Sequence, residues 1–464
     1  MNAVMAGVVG YIALQFLIGA LVSRRISTES DYIVAGRRIG PVLGAFTVFA
    51  TWFGAEVIVG TSGEVYAHGL KGAQFDPFGY AIALLLSGLV VAAALWRQDI
   101  TTFADFFRKR FGPTAERMVV LLLVPGSLFW AAAQIRAFGQ IVSSVAAIDA
   151  TVAITLAAIV VAAYTILGGL MADAITDLVQ GIAVMIGLGV LVYLTAGALG
   201  GFEASLAAVP VERFEVLGSS DKPWLEAIES WLVPICGTMV AIELVSRMLG
   251  CRSAEVARRA TVAGAGLYLV VGLLPIYLGL VAPLLMPGLG EDQLEQVVPE
   301  LAHKLMPGFL YVIFAGAIIS AILSTVDSTL VAAASLVSHN VVVRYLPNPT
   351  ERARLVSVRI TVAILAVGAY LLAMKAASVR DLVETAAAFG SSGVVVCLLL
   401  GLFTRFGGER CAIAALTAGV VVWVGGVLSQ VTATPYLFAC AAALVAYVAA
   451  ATLSSASSSP PQVS

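Results

Sequence analysis

Long runs of apolar residues alternate with short polar or glycine- and proline-rich breaks along most of the chain. A helix that crosses a membrane needs roughly 20 predominantly apolar residues, and thirteen of these runs reach that length. We therefore predict an all-α integral membrane protein. The predicted spans lie at residues 4–23, 39–63, 74–96, 114–147, 150–169, 173–199, 223–246, 258–286, 305–340, 353–374, 380–404, 408–428 and 433–453.

Two polar segments stand out from this pattern. Residues 100–112 (ITTFADFFRKRFG) combine aromatic residues with a charged face, which is typical of a short helix that lies on the membrane surface. Residues 454–464 (SSASSSPPQVS) are polar and low in apolar content, so we predict a disordered tail. The first apolar run lacks an early basic region, and we expect it to be a retained span rather than a signal peptide.

The composition supports membrane insertion and excludes several functions. Of the 464 residues, 60% are hydrophobic and 12% are charged, whereas a soluble domain carries about 25% charged residues. The net charge of −2 gives no basic surface for nucleic acid. The five cysteines form no CxxC pair and are interpreted as small apolar side chains. No GxxxxGK[ST] loop occurs, so we expect neither a nucleotide-driven pump nor a cofactor.

Lysine and arginine are distributed unevenly between alternate loops. When the loops between the predicted spans are taken in order, 19 of the 26 basic residues lie in or beside one set and six in the other. Cytoplasmic loops carry the excess of basic residues. We therefore expect the N-terminus outside, the C-terminus in the cytoplasm, and a location in the plasma (inner) membrane.

Two of the predicted spans contain helix-breaking residues at matching places. The second span has Gly54 between two apolar segments, and the seventh has Pro234 and Gly237 in its middle. Transporters built from inverted repeats bind ion and solute at such interrupted helices, because broken backbone is tolerated in lipid only where it lines a cavity or is buried in protein. The pair predicts a binding site between the two spans.

Four segments carry a resemblance to a known family. They are ATWFGAEVIVGTSGEVYAHGL (50–70), ADFFRKRFG (104–112), GGLMADAITDLVQG (168–181) and SAILSTVDSTLVAAASLVSHNVV (320–342). In these segments the chain resembles the sodium:solute symporter family. The resemblance implies a leucine-transporter-like fold with a core of five plus five inverted helices and sodium as the coupling ion.

The resemblance also implies a domain organisation. We expect one transmembrane domain over residues 1–464, with a first five-helix repeat at 39–199 and a second at 223–404. The segment 4–23 is then an extra helix before the core, and 408–453 holds two extra helices after it.

The resemblance places a sodium ion between the first broken helix and the segment 320–342. The implied ligands are backbone carbonyls and two hydroxyls. They are Ala50, Phe53, Ala321, Ser324 and Thr325. The last three share one helical face by their spacing. The alternative is that the two hydroxyls only return hydrogen bonds to carbonyls of their own helix, which is common in membrane spans.

Asp177, Asp327 and Ser328 form a second candidate site. The family resemblance places a second sodium near these positions, and two carboxylates in a poorly hydrated place require a cation or a proton between them. A second sodium site, a proton-binding site and an ion-exit stop all remain open. The alternative is that the two carboxylates lie at helix ends that face a cytoplasmic vestibule.

Four residues are candidates for contact with the transported solute. Trp52 and Trp130 fall near the middle of the membrane, and their segments look most like the choline-transporting branch of the family. Aromatic faces hold quaternary ammonium groups, but that branch has a further aromatic residue where this chain has Ala241. Glu56 and Arg136 are deep ionisable residues, and we expect them to form an ion pair beside the pocket.

The sequence thus predicts a transporter and not an enzyme. We expect sodium-coupled uptake of a small organic solute, which is an amino-acid-like zwitterion, a betaine- or choline-like cation or a carboxylate. A proton-coupled symporter of the same fold and a membrane solute sensor are the alternatives. Partners are the solute, sodium and the lipid bilayer, with no nucleic acid and no obligate protein partner.

Overall fold

A computed structural model describes residues 26–146, 148–216, 223–376 and 378–456, together with the single positions Gly10, Ala13, Leu17 and Leu21. Apart from those four positions, the predicted first span falls outside the described residues. So do residues 457–464 of the predicted tail. The described part contains helices and connecting turns, and no β-strand.

The helices are numbered in chain order. They are α1 (Glu29–Val34), α2 (Pro41–Trp52), α3 (Ser62–His68), α4 (Tyr80–Leu86), α5 (Ala93–Trp96), α6 (Phe103–Phe111), α7 (Pro113–Ala146), α8 (Ala150–Gly168), α9 (Leu170–Ala198), α10 (Phe202–Ala207), α11 (Trp224–Met239), α12 (Ile242–Gly250), α13 (Ala254–Leu285), α14 (Val297–Leu305), α15 (Gly308–Val337), α16 (Val343–Tyr345), α17 (Glu351–Lys375), α18 (Val379–Ala388), α19 (Ser391–Phe403), α20 (Glu409–Ser429) and α21 (Pro435–Ala456). Four π-helical segments continue or join them: Glu56–Thr61, Gln74–Gly79, Ser87–Ala92 and Ser338–Val342.

The all-α membrane class is confirmed. Within the described residues, nine helices are long and apolar enough to cross a membrane, or ten if the bent pair α11 and α12 forms one span. Every predicted span after the first coincides with a helix or with a broken pair of helices. The count of thirteen stays a prediction, because α2 is short and the first span is not described.

Three helices are interrupted inside the bundle. After α2, Phe53 has φ −84° and ψ 63°, which ends the helix before it resumes. The break predicted at Pro234 and Gly237 falls later instead: α11 stays helical through both residues, and the chain bends by 42° at Val240 and Ala241, before α12. The third break, at Phe389 and Gly390, was not predicted from the sequence. There Gly390 has φ +72°, and a Cβ atom on it would come within 2.6 Å of the Leu122 carbonyl oxygen.

Backbone hydrogen bonds join the two broken helices at one end of the bundle. The Ile39 amide donates to the Gly250 carbonyl at 3.1 Å, and the Arg252 amide donates to the Ile39 carbonyl at 3.0 Å. The beginning of α2 is therefore fixed against the end of α12. Helix α15 crosses the same region and packs against α2, α7 and α9, so the broken ends meet around it.

The predicted surface helix forms as α6. The side chain of Thr102 accepts from the Asp105 amide, and the Asp105 carboxylate accepts from the Thr102 amide, which closes a capping box at its first turn. Phe103, Phe107 and Phe111 are buried. The aromatic face thus packs on the helical bundle.

Candidate functional site

The broken end of α2 lies against the middle of α15. The Thr325 hydroxyl donates to the Ala321 carbonyl at 3.1 Å and lies 3.4 Å from the Ala50 carbonyl oxygen. Thr325 is fully buried. Three of the groups named as sodium ligands therefore come together between two helices, one of which has stopped at Trp52.

Gln134 of α7 supports the break. Its side-chain oxygen accepts from the Ala55 amide at 3.0 Å, so it satisfies a backbone donor that an unbroken helix would have used internally. A Cβ atom on Gly54 would come within 2.8 Å of that oxygen and 2.9 Å of the Thr325 hydroxyl. Glycine is the residue that allows the break to approach both side chains.

Ser324 lies one residue before Thr325 but points to a different partner. Its hydroxyl donates to Asp177 of α9, and the hydroxyl of Thr47 donates to the other carboxylate oxygen of Asp177. All three side chains are buried. Asp177 therefore joins α2, α9 and α15 directly beside the crossing of Thr325 and Ala50.

Arg247 of α12 was not singled out by the sequence analysis, yet it lies among the candidate carboxylates. It is 1% exposed and forms an ion pair with Asp173. One of its nitrogens also lies 3.9 Å from an oxygen of Asp177. The Ser328 hydroxyl accepts from Arg247 and donates to Asp173 at 2.8 Å. Ser328 thus contacts Asp173 and Arg247, whereas Asp177 contacts Ser324.

Asp327 is also fully buried, and its environment differs from that of its neighbours. It lies beside Thr165 of α8, whose carbonyl accepts from the Tyr32 hydroxyl at 3.0 Å. Asp177 and Asp327 are both in the interior of the protein, so the alternative of two carboxylates exposed in a vestibule does not match this structure.

A cavity lies between the breaks. All three interrupted helices contribute to its wall. The lining includes Thr51, Trp52, Tyr80, Ser127, Trp130, Thr238, Ala241, Glu243, Phe389 and Ser391. Among the described residues that line it, Glu243 is the one charged side chain.

Two of the four candidate solute contacts lie in this cavity. Trp52 and Trp130 are on its wall. Glu56 instead borders a second space beyond the α2 break, together with Asp76 and Glu384. Arg136 contacts the Ala373 carbonyl at 3.5 Å.

The ion pair expected between Glu56 and Arg136 is not seen in the part of the chain that the structure describes. Arg136 contacts α17 through the Ala373 carbonyl, and Glu56 borders the second space. Depth along a span does not fix the direction of a side chain around the helix, so the sequence could not exclude this arrangement.

Glu243 is a site residue that the sequence analysis missed. It is 6% exposed and accepts from the Ser127 hydroxyl at 2.6 Å. A carboxylate within an apolar membrane segment indicates a functional site by default. That signal was present in MVAIELVSR, two residues after the break.

Aromatic rings surround the same cavity. The rings of Tyr80 and Trp130 meet edge to face with centroids 6.1 Å apart. Phe389, at the third break, packs against Trp423 with centroids 5.7 Å apart. Ala241 also lines the cavity, so an aromatic side chain is indeed absent at that position. Phe389 and Tyr80 provide aromatic surface from other helices.

Comparison with known proteins places this geometry in context. The sodium:solute symporter family matches residues 32–419. High-affinity choline transporter 1 of Caenorhabditis elegans is 29% identical over 377 residues, which cover 77% of this chain and 64% of that protein. The osmoregulated proline transporter OpuE of Bacillus subtilis is 25% identical over 442 residues, which cover 91% and 89%. The chain thus spans less than two thirds of the choline transporter's length.

A solved structure shows the same architecture. A Na⁺-coupled sialic acid symporter in a substrate-bound outward-open state superposes with a TM-score of 0.83 at 16% sequence identity, and 99% of each chain is covered. At this identity the likeness concerns the fold alone. The predicted leucine-transporter-like fold is confirmed.

Proposed function

The chain belongs to the sodium:solute symporter family, and we propose that it is a sodium-coupled secondary active transporter of a small organic solute. It is a multi-pass membrane protein. The proposal places it in the plasma membrane, with the N-terminus outside and the C-terminus in the cytoplasm. Such a protein moves its solute by alternating access and makes or breaks no covalent bond.

The observation that carries the proposal is the crossing of Thr325 with the broken end of α2. Sodium is a hard cation that binds oxygen ligands, and carbonyls released by a helix break supply them without a fixed charge. The Thr325 hydroxyl lies 3.1 Å from the Ala321 carbonyl oxygen and 3.4 Å from the Ala50 carbonyl oxygen. The Phe53 carbonyl at the break and the Ser324 hydroxyl, which donates to Asp177, complete the proposed ligand set.

The cavity beside this crossing favours a solute with an ammonium group. Trp52, Trp130, Tyr80 and Phe389 offer aromatic faces, which attract cations by cation–π interaction. Glu243 adds a carboxylate in a buried place, where the attraction to a cation is stronger than in water. A purely anionic solute would meet no lysine, arginine or histidine among the described lining residues.

A zwitterion such as an amino acid is the second candidate. Helix α12 begins at Ile242 on the cavity wall, and the N-terminus of a half-helix favours a carboxylate. The ammonium group would then face Glu243 and the aromatic rings. A choline transporter and a proline transporter among the relatives represent these two solute classes.

Uptake into proteoliposomes tests the function. Purified protein would be assayed with radiolabelled choline, glycine betaine, L-proline and succinate under an inward gradient of sodium, of potassium or of protons. We expect accumulation of an ammonium-bearing solute that requires sodium. Accumulation driven equally well by a proton gradient without sodium would show that the ion is misassigned.

Two tryptophan variants provide the matched comparison. Trp130→Leu should raise the KM for the transported solute, because it removes an aromatic face from the cavity. Trp224→Leu should not, because Trp224 is 71% exposed at the start of α11. Equal KM values for Trp130→Leu and the unaltered protein would place the solute elsewhere.

A further inference from the structure

The interior of the bundle contains three carboxylates and one guanidinium in close proximity. Asp173, Asp177 and Asp327 are fully buried, and Arg247 is 1% exposed. Arg247 is fixed by hydrogen bonds on several sides. One terminal nitrogen binds Asp173 and Ser328, and the other donates to the Glu243 carbonyl at 3.3 Å and to the Ser246 hydroxyl at 3.2 Å.

Two of the three side chains that a second ion would use, Asp177 and Ser328, are already hydrogen-bonded within the protein, whereas neither oxygen of Asp327 accepts a hydrogen bond from the described residues. The Ser328 hydroxyl donates to Asp173 and accepts from Arg247. The two carboxylate oxygens of Asp177 accept from Ser324 and from Thr47. A metal ion bound to Asp177 and Ser328 would have to displace these donors, and it would lie next to the guanidinium that is 3.9 Å from Asp177.

Charge balance leads to the same conclusion. Buried carboxylates are stable in their ionised form only when a cation compensates them. The Arg247 guanidinium is always protonated at physiological pH and binds carboxylates with a fixed geometry. It supplies one positive charge between Asp173 and Asp177 as part of the chain, which is the same charge that a sodium ion would bring there.

We propose that Arg247 occupies the place of a second coupling ion, and that this transporter therefore binds a single sodium. The inference rests on the proposed sodium coupling. Asp173 allows the Arg247 guanidinium to take the place of the ion, because it is the closest carboxylate partner of the guanidinium. The single sodium then lies at Thr325, separated from Arg247 by Asp177 and Ser324.

The Arg247 guanidinium also connects the ion site to the solute cavity. Arg247 lies on α12 one turn after Glu243, and it bonds to the Glu243 carbonyl. A free ion could leave during each transport cycle, whereas the guanidinium moves only with α12. Arg247 is therefore a positioning residue for α12 as well as a counter-charge.

Sodium binding to the purified protein tests the inference without knowledge of the solute. Radiolabelled sodium would be titrated onto protein in lipid nanodiscs, and bound ions per protein would be counted. We expect one ion per protein and a hyperbolic isotherm. Two ions with a sigmoidal isotherm would overturn the inference and leave sodium coupling intact, whereas no saturable binding would overturn the proposed function itself.

Variants of Arg247 extend the test. Arg247→Ala should expose the Asp173 and Asp177 carboxylates to a second sodium, so that the capacity rises to two ions; a capacity that stays at one would contradict the proposal. Arg247→Lys keeps the charge and should retain one ion. The control is Arg259→Ala, because Arg259 forms an exposed pair with Glu255, and one bound ion is expected. If Arg247→Ala does not fold, the number of sodium ions bound by the unaltered protein still tests the proposal.

Discussion

The hydroxyl of Thr325 lies 3.4 Å from the carbonyl oxygen of Ala50 and so joins α15 to the broken end of α2. This contact connects two halves of the bundle that are 275 residues apart in sequence. A hydroxyl that reaches a released carbonyl on another helix has a role beyond local helix bonding. The first prediction concerns this hydroxyl.

Thr325→Ala should weaken sodium activation of transport much more than it lowers the maximal rate at saturating sodium. Losing one oxygen from a buried ion site costs about 1–3 kcal/mol, which corresponds to roughly tenfold or more in apparent affinity. Sodium dependence of uptake measures the effect. Thr325→Ser keeps the hydroxyl and should retain most of the affinity.

Ser335→Ala serves as the matched control for Thr325. The Ser335 hydroxyl is buried on the same helix and donates to the Val331 carbonyl at 2.6 Å. It makes only the local hydrogen bond that was the alternative interpretation of the serine and threonine residues. Equal sodium curves for Thr325→Ala and Ser335→Ala would favour that alternative.

Gly54→Ala should abolish or strongly impair transport. The added Cβ atom would meet the side chains of Gln134 and Thr325 at 2.8 and 2.9 Å, so both would have to move away from the break. Uptake and sodium-dependent thermal stabilisation of the purified protein measure the outcome. Gly60→Ala is the control, since its nearest neighbour would be 3.8 Å away; a Gly54→Ala protein as active as the control would show that the break tolerates a side chain.

Glu243→Gln should lower affinity for a cationic solute while a neutral isostere competes as well as before. The reason is that Glu243 is the one charged residue among the described lining of the cavity. The loss should be about tenfold or more, given about 1.5–3 kcal/mol for a hydrogen bond or contact to a charged group. Competition by choline and by its uncharged analogue 3,3-dimethylbutanol measures the difference.

Ser127→Ala separates the charge of Glu243 from its orientation. The Ser127 hydroxyl donates to Glu243 at 2.6 Å, and its loss leaves the carboxylate in place but less fixed. We expect a smaller loss of affinity than with Glu243→Gln. An unchanged affinity for both variants would mean that the solute does not reach Glu243.

Asp105 of α6 should contribute to stability in a pH-dependent way. Burial tends to raise the pKa of its carboxyl, but bonds from His339, Thr102 and Asn340 outweigh this effect and lower the pKa from 3.8 to about 2. A lowered pKa in the folded state stabilises the protein above the unfolded-state pKa, and this contribution is lost as the pH falls toward about 2.

Asp105→Asn should therefore destabilise the protein at neutral pH by about 2 kcal/mol, since one unit of pKa corresponds to about 1.4 kcal/mol. The difference from the unaltered protein should shrink as the pH is lowered from about 5 to about 3. Thermal unfolding in detergent measures it. Asp99→Asn is the control, because Asp99 is 85% exposed in its pair with Arg37; a pH-independent difference for Asp105→Asn would contradict the assignment.

The sequence by itself determined the membrane class and the presence of a break in each of the second and seventh predicted spans. The physical reason is that these features are local. A span in lipid must satisfy its own backbone hydrogen bonds, so its length and its interruptions can be predicted from a local stretch of consecutive residues. The contact between Thr325 and the Ala321 carbonyl, four residues apart, follows from helical periodicity for the same reason.

Only the tertiary structure decided which charged groups meet. Arg247 is 74 residues from Asp173 in sequence, and nothing in either segment indicates that they pair. Glu56 and Arg136 have compatible depths but face different neighbours. Phe389 lines the cavity because the helix is interrupted there, and a single glycine, Gly390, was too weak a sequence signal to predict that interruption. The direction of a side chain around its helix and the crossing of helices depend on packing between distant segments. Both properties determine which residues form the sodium site and which line the solute cavity.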